Sequence, residues 1–292
     1  VQRLAGGGLT VASSVTATDR YAVFGNPIKH SKSPVIHAAF AQQCDQEMHY
    51  RAVRVDLGGF EAAASNFFES GGRGLNVTLP FKEDAFAFAD RLTDRAMRAG
   101  AVNTLSRGGD GAIEGDNTDG IGLVRDMVVN LGWALQGLRV LLLGAGGAAR
   151  GVLEPVLRER PRELLVVNRT AGRAQQLADE FGDIGQLQGG GYALIGERQF
   201  DLIINATSAG LSGEMPDLPS SLLTERSCCY DMVYGAEPTP FMRWAAHHAA
   251  WAVADGLGML VEQAAQSFYI WRKVRPETRP VINSLRASMA PA

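Results

Sequence analysis

The sequence is poor in cysteine, histidine and lysine, and each shortage removes a class of protein. Cys44 and the adjacent pair Cys228 and Cys229 are the three cysteines of 292 residues; an odd count with one adjacent pair is no disulfide framework and reads as reduced thiols. The five histidines (His30, His37, His49, His247, His248) show no metal-ligand spacing with each other or with the cysteines, so no metal is expected. No apolar run approaches the ~20 residues of a membrane-spanning helix. The formal net charge of -3 lacks the basic excess that nucleic acid or an anionic membrane surface attracts. Residues 1-18 are small and polar, with a glycine triplet from Gly6 to Gly8 and no apolar core of a secretion signal. They read as a disordered tail, and the chain as a soluble, cytoplasmic protein, monomer or homodimer, whose partner is a small molecule.

What is present is ordinary for a globular protein: 46% hydrophobic and 20% charged residues, at a length that fits two domains. In the second half, short apolar strands at Arg139 to Leu143, Leu164 to Val167, Leu202 to Ala206 and Cys229 to Tyr234 alternate with helical segments such as Thr170 to Phe181. That alternation predicts a parallel sheet with right-handed crossovers. The first half alternates too: strands at Tyr21 to Phe24, Tyr50 to Val55 and Leu75 to Thr78, helices at Pro34 to Cys44, Phe60 to Ser70 and from Pro80 to about Asp90. The expected fold is α/β in two domains. An N-terminal α/β substrate domain spans 19-118 and is completed by 257-292, the apolar helix Leu257 to Trp271 packing back on it. A Rossmann-type, doubly wound parallel-sheet domain spans 119-256. The boundary falls in the polar, glycine-rich stretch that starts at Asp116.

The strand ending at Leu143 runs directly into Gly144-Ala145-Gly146-Gly147-Ala148-Ala149 and then a helix. In that context Gly144 permits a tight turn, Gly146 lets backbone approach a pyrophosphate, and Ala149 lets the helix pack on the strand. The helix N-terminus offers free N–H groups and a partial positive charge to phosphates. At the tip of the next strand, dinucleotide enzymes that use NAD carry an acidic residue for the ribose hydroxyl. Here the tip reads Asn168-Arg169-Thr170, with Arg173 nearby. Two guanidinium groups suit a 2′-phosphate, so the expected cofactor is NADP. Thr207 and Ser208, after the strand at Leu202, fit either a cofactor ribose or nicotinamide contact or a helix cap.

Three further segments carry chemistry. Ser33 before Pro34 fits a helix N-cap, which leaves Ser31 unexplained; two hydroxyls at a helix start also make a carboxylate site. Lys82 follows Pro80 in a first helical turn, where the dipole disfavours a cation, and it is one of only four lysines against 24 arginines. Lysine is the cation that can exchange a proton when its site is tuned. Asp119 could cap a helix or pair with Lys82. His30, beside a binding segment, reads as a structural hydrogen-bonder.

The motifs GNPIxHSxSPxIH, GxNVTxPFK, AVNT, GDNTDGxG, GAGGAARG, NRT, NATSxG, DMVY and DGxGMLVxQA occur in that order from Tyr21 to Trp271. In this the chain resembles the shikimate dehydrogenases. The resemblance implies NADP-dependent, reversible reduction of 3-dehydroshikimate to shikimate. It implies Lys82 and Asp119 as the catalytic pair, and Ser31 and Ser33 on the substrate carboxylate with Tyr234 reaching it from the cofactor domain. Thr78, Asn103 and Gln263 would bind ring hydroxyls. The turn from Gly144 to Ala148 would hold the cofactor, with Asn168, Arg169, Thr170 and Arg173 on the 2′-phosphate. Met232 and Gly256 would sit near the nicotinamide. The loop after Tyr234 departs from the family pattern, and residues 1-18 have no counterpart. The rival readings are a quinate/shikimate dehydrogenase that uses NAD or accepts quinate, a methylene-tetrahydrofolate dehydrogenase, which HSxSP with NVTxPFK does not suit, and a non-catalytic NADP-binding sensor, against which Lys82 and Asp119 both stand.

Overall fold

The apolar runs assemble into two six-stranded sheets in a computed structural model, which describes residues 18–207 and 214–289. The expected tail, but for its last residue, therefore lies outside the described residues, as does Ser208.

The first sheet takes β1 (Asp19–Gly25), β2 (Met48–Arg54), β3 (Gly72–Val77), β4 (Arg91–Leu92), β5 (Thr104–Arg107) and β6 (Ile113–Asp116), in the order β2-β1-β3-β5-β6-β4. Its helices are α1 (Ser33–Gln43), α2 (Phe60–Glu69), α3 (Lys82–Phe88) and α4 (Asp94–Ala99). Strands β2, β1 and β3 run parallel, whereas β3 with β5 and β5 with β6 pair antiparallel. A phenylalanine-rich core from Phe24, Phe60, Phe67, Phe68 and Phe81 fills the space under α2 and α3. Edge-to-face rings, such as Phe24 on Phe67 at 5.8 Å, add to that burial.

Helix α5 (Asp119–Arg125) continues as one π-turn, Asp126–Asn130, and leads into the second sheet. There follow β7 (Arg139–Leu143), α6 (Gly147–Arg158), β8 (Glu163–Val167), α7 (Ala171–Phe181), β9 (Leu187–Gly190), β10 (Phe200–Asn205), β11 (Leu223–Asp231), α8 (Pro240–His247) and β12 (Ala252–Asp255). The order is β12-β11-β10-β7-β8-β9, parallel throughout. Both faces are covered, which explains unbroken apolar runs in place of alternation. Val140 and Leu142 enter one core with Leu164 and Val166; Leu141 and Leu143 enter the other with Leu165 and Val167. The strand order reverses between β7 and β10, where open parallel sheets bind ligands at the carboxyl ends of the strands.

Helices α9 (Leu257–Arg272) and α10 (Arg279–Met289) return to the first half. Phe268, Ala265, Val261 and Leu257 of α9 pack on Ile36 and Phe40 of α1 and on Val281 and Leu285 of α10. α9 also lies along α5.

Candidate active site

Helix α3 starts at Lys82, two residues after Pro80, and α5 starts at Asp119, so two helix N-termini bring their first residues together. Lys82 Nζ donates to Asp119 Oδ2 at 2.5 Å, both side chains being mostly buried. Asp119 is thus the partner of Lys82 and not a cap: the cap position is Thr118, and Asn117 Oδ1 accepts from the Asp119 N–H at 3.1 Å. The other carboxylate oxygen, Oδ1, accepts from Asn103 Nδ2 at 2.8 Å. Asn103 is buried, and its own Oδ1 accepts from the Thr118 N–H and from Thr104 Oγ1, both at 2.9 Å. A buried carboxamide held at both its oxygen and its nitrogen keeps one orientation, and so steadies the carboxylate it touches.

Lys82, Asp119 and Asn103 line one cavity of about 370 Å³ together with Ser31, Ser33, Thr78, Tyr234, Gln263, Met232 and Gly256. Eight of the side chains expected at the substrate and two residues expected near the nicotinamide therefore share a single space, with walls from the first sheet and from the segments that follow β11 and β12. Burial, and less so the charge of Asp255, pushes the Tyr234 hydroxyl up, so it stays a neutral donor. Ser33 is not the helix cap expected of it. The cap position is Lys32, Ser33 is the first helical residue, and Ser31 Oγ accepts from the Ser33 N–H at 3.3 Å. The reason is that Lys32 already has helical backbone angles, φ -84 and ψ -10, which moves the helix start by one residue.

Two glycines of α5 set how the walls meet. A methyl group on Gly120 would stand 2.6 Å from the Gly151 carbonyl oxygen and 2.5 Å from Pro155 Cγ, both on α6. One on Gly122 would stand 2.7 Å from the Gln263 backbone nitrogen and 2.8 Å from the Met259 carbonyl oxygen, both on α9. Real side-chain carbons do not approach so closely, so α5 nests between α6 and α9 only with glycine at both places.

The glycine turn follows β7. Gly144 has φ +102, a region closed to most side chains, and its backbone abuts Ala206 after β10. Gly146 caps the twelve-residue α6 in extended conformation; no side chain bonds this helix end, and its first turn holds no acidic residue. Methyl groups added to Gly146 or Gly147 would meet nothing within 4 Å, so space lies open over the free N–H groups. Asn168 Nδ2 donates to the Thr170 carbonyl at 3.1 Å, closing the strand tip. Arg169, Thr170 and Arg173 are exposed there, and among the described residues no carboxylate pairs with either arginine. The chemistry of this surface fits a 2′-phosphorylated dinucleotide: phosphate against free N–H groups and unpaired guanidinium groups. Thr207 caps no helix among the described residues; its Oγ1 donates to Asn205 Oδ1 at 2.7 Å.

The sequence reading passed over several wall residues. Asn76, Lys32, Met259 and Leu260 line the cavity, and His30 is exposed in its wall. Asn76 stands inside the NVTxPFK motif, which is the signal that could have found it, and it is buried on β3. Its Oδ1 accepts from Tyr50 at 2.8 Å, and its Nδ2 donates to Ser267 Oγ at 3.0 Å. Tyr50 in turn stacks on His37 at 4.2 Å.

Comparison with known proteins covers most of the chain. Residues 23–105 match the family model of the shikimate dehydrogenase substrate binding domain. Residues 127–212 match that of shikimate/quinate 5-dehydrogenase, and residues 256–286 that of the shikimate 5'-dehydrogenase C-terminal domain. The shikimate dehydrogenase (NADP(+)) of Cellvibrio japonicus is 56% identical over 272 residues, covering 93% of this chain and 98% of its own. An Ael1 enzyme from Pseudomonas putida has a crystal structure that superposes with TM-score 0.86 at 44% identity, over 94% of this chain and 99% of that one. Shikimate 5-dehydrogenase from Thermus thermophilus, solved with NADP(H) and shikimate, superposes with TM-score 0.81 at 35% identity, over 92% and 99%.

Proposed function

The chain belongs to the shikimate dehydrogenase family, and on that premise we propose that it interconverts 3-dehydroshikimate and shikimate with NADP(H), Lys82 and Asp119 acting as the acid–base pair. The observation that carries the reading is the contact of Lys82 with Asp119 inside a cavity that Ser31, Ser33 and Tyr234 share with Met232 and Gly256. Residues 19-118 with 257-292 serve the substrate, and residues 119-256 serve the cofactor.

The turn from Gly144 to Ala148 would hold NADPH, with Arg169 and Arg173 on its 2′-phosphate, and the cofactor would supply the hydride. The chain does the rest. Negative charge builds on the ketone oxygen as it is reduced, and the Lys82 ammonium stabilises it and gives it a proton. Asp119 orients that ammonium and keeps it charged until the transfer; in the reverse direction the neutral amine takes the hydroxyl proton back. Asn103 holds Asp119 still. Ser31, Ser33 and Tyr234 anchor the carboxylate, while Thr78, Asn103 and Gln263 hold the ring hydroxyls, which places the reacting carbon before any chemistry occurs.

Initial rates with shikimate and quinate, each with NADP+ and NAD+, test the reading. Shikimate with NADP+ is expected to dominate. Equal rates with NAD+, or faster turnover of quinate, would overturn it.

A further inference from the structure

We infer that Lys32 is a specificity-determining residue, whose ammonium supplies the charge by which this cavity selects an anionic ring acid over a neutral polyol or ketone. The inference rests on the dehydrogenase reading above and deepens it.

Lysine is scarce here, four residues against 24 arginines, yet two of the four, Lys32 and Lys82, line this one cavity. Its charged wall residues are Lys32, Lys82 and Asp119, with His30 and the neutral Tyr234 hydroxyl as further titratable groups. Lys82 and Asp119 neutralise each other through their direct contact. Lys32 has no such partner: among the described residues no carboxylate lies within salt-bridge distance of it, although it is half-buried. A partly desolvated cation without a counter-charge is costly unless a ligand brings one.

Helix stability does not explain the residue. Lys32 occupies the cap position of the eleven-residue α1, and the first turn of α1 holds no acidic side chain. A cation at that end opposes the helix dipole. Dipole and ammonium therefore add beside Ser31 and Ser33 in the cavity wall, and among the described residues no carboxylate lies within salt-bridge distance of Lys32 to cancel that positive field. An anion seated on the two serines is what completes the balance. Hydroxyls alone bind a carboxylate and a neutral hydroxymethyl or amide group with similar geometry; the ammonium separates them.

The experiment is steady-state kinetics with shikimate at saturating NADP+ for wild type, K32R, K32Q and K32E. With charge as the cause, K32R keeps the wild-type KM within about twofold, and K32Q raises it about fivefold, as expected for one charge contact in a partly solvated site. K32E raises it by about fivefold again through like-charge repulsion, with kcat within about twofold of wild type in all three. A KM for K32Q within twofold of wild type overturns the inference, and so does a K32E no worse than K32Q, because shape without charge would then account for the residue. Wild-type protein that turns over no shikimate with NADP+ would instead fail the dehydrogenase reading itself.

Discussion

Asn103 donates to Asp119 Oδ1 at 2.8 Å, on the oxygen opposite the one that Lys82 holds. The carboxylate is gripped from two sides, so the pair is preorganised before substrate arrives. Replacing Lys82 by alanine removes the proposed proton donor and leaves the grip of Asn103. Turnover of Lys82→Ala is expected to fall by about 10²–10⁴-fold, the usual worth of a general acid, with little change in substrate binding. Steady-state rates and a titration of shikimate binding check both halves; near-normal turnover would remove Lys82 from the chemistry.

Arg169 stands exposed at the tip of β8 with no carboxylate partner among the described residues. Its guanidinium has a fork that suits phosphate. Arg169→Ala is expected to raise KM for NADP+ by about 10- to 100-fold, the worth of a hydrogen bond to a charged group, and to leave KM for NAD+ almost unchanged. Equal effects on the two cofactors would refute the assignment.

Gly122 touches the backbone of Gln263, a wall residue of the cavity. Gly122→Ala must push α9 aside, and overpacking of this kind costs about 1–3 kcal/mol. Denaturant unfolding should show that loss. KM for shikimate should rise with it, since Gln263 moves with its backbone, while KM for NADP+ holds.

His37 is fully buried against Phe40, Tyr50, Phe268 and Trp271, and burial pulls its pKa from 6.5 to about 3. The folded chain therefore resists a proton that the unfolded chain accepts. The stability due to neutral His37 is complete above pH 6.5 and declines as pH falls from there toward 3. About 2 kcal/mol should be gone by pH 5, at roughly 1.4 kcal/mol per unit. Urea unfolding of wild type and His37→Phe at pH 7 and pH 5 tests this: the difference between the two pH values should shrink in the variant.

The second sheet was legible because its strands are unbroken apolar runs and its glycine turn has a strand before it and a helix after. Strands β5 and β6 were not: each is four residues long, and Asp116 and Thr104 carry buried polar side chains that hide the pattern. Strand β11 begins at Leu223, six residues before the apolar stretch that announces it, since Glu225 and Arg226 point to solvent. Helix α10 has only Val281 and Leu285 buried, too thin a stripe to stand out. In the site, residue types were readable and distances were not. Motif order marked Lys82, Asp119 and Asn103, but their meeting depends on β3, β5 and α5 converging, which no local pattern encodes. The shift of the helix cap from Ser33 to Lys32 was likewise settled by one turn of backbone.

The seating of α5 between α6 and α9 bears on how such enzymes can be recombined. Asp119 belongs to a helix whose Gly120 is fitted to the cofactor half and whose Gly122 is fitted to the returning C-terminal helix. The two halves are consequently not interchangeable cassettes. A chimaera that grafts a foreign cofactor half onto this substrate half, joined anywhere between Asp116 and β7, inherits a mismatched seam beneath the Asp119 carboxylate unless α5, α6 and α9 travel as one block.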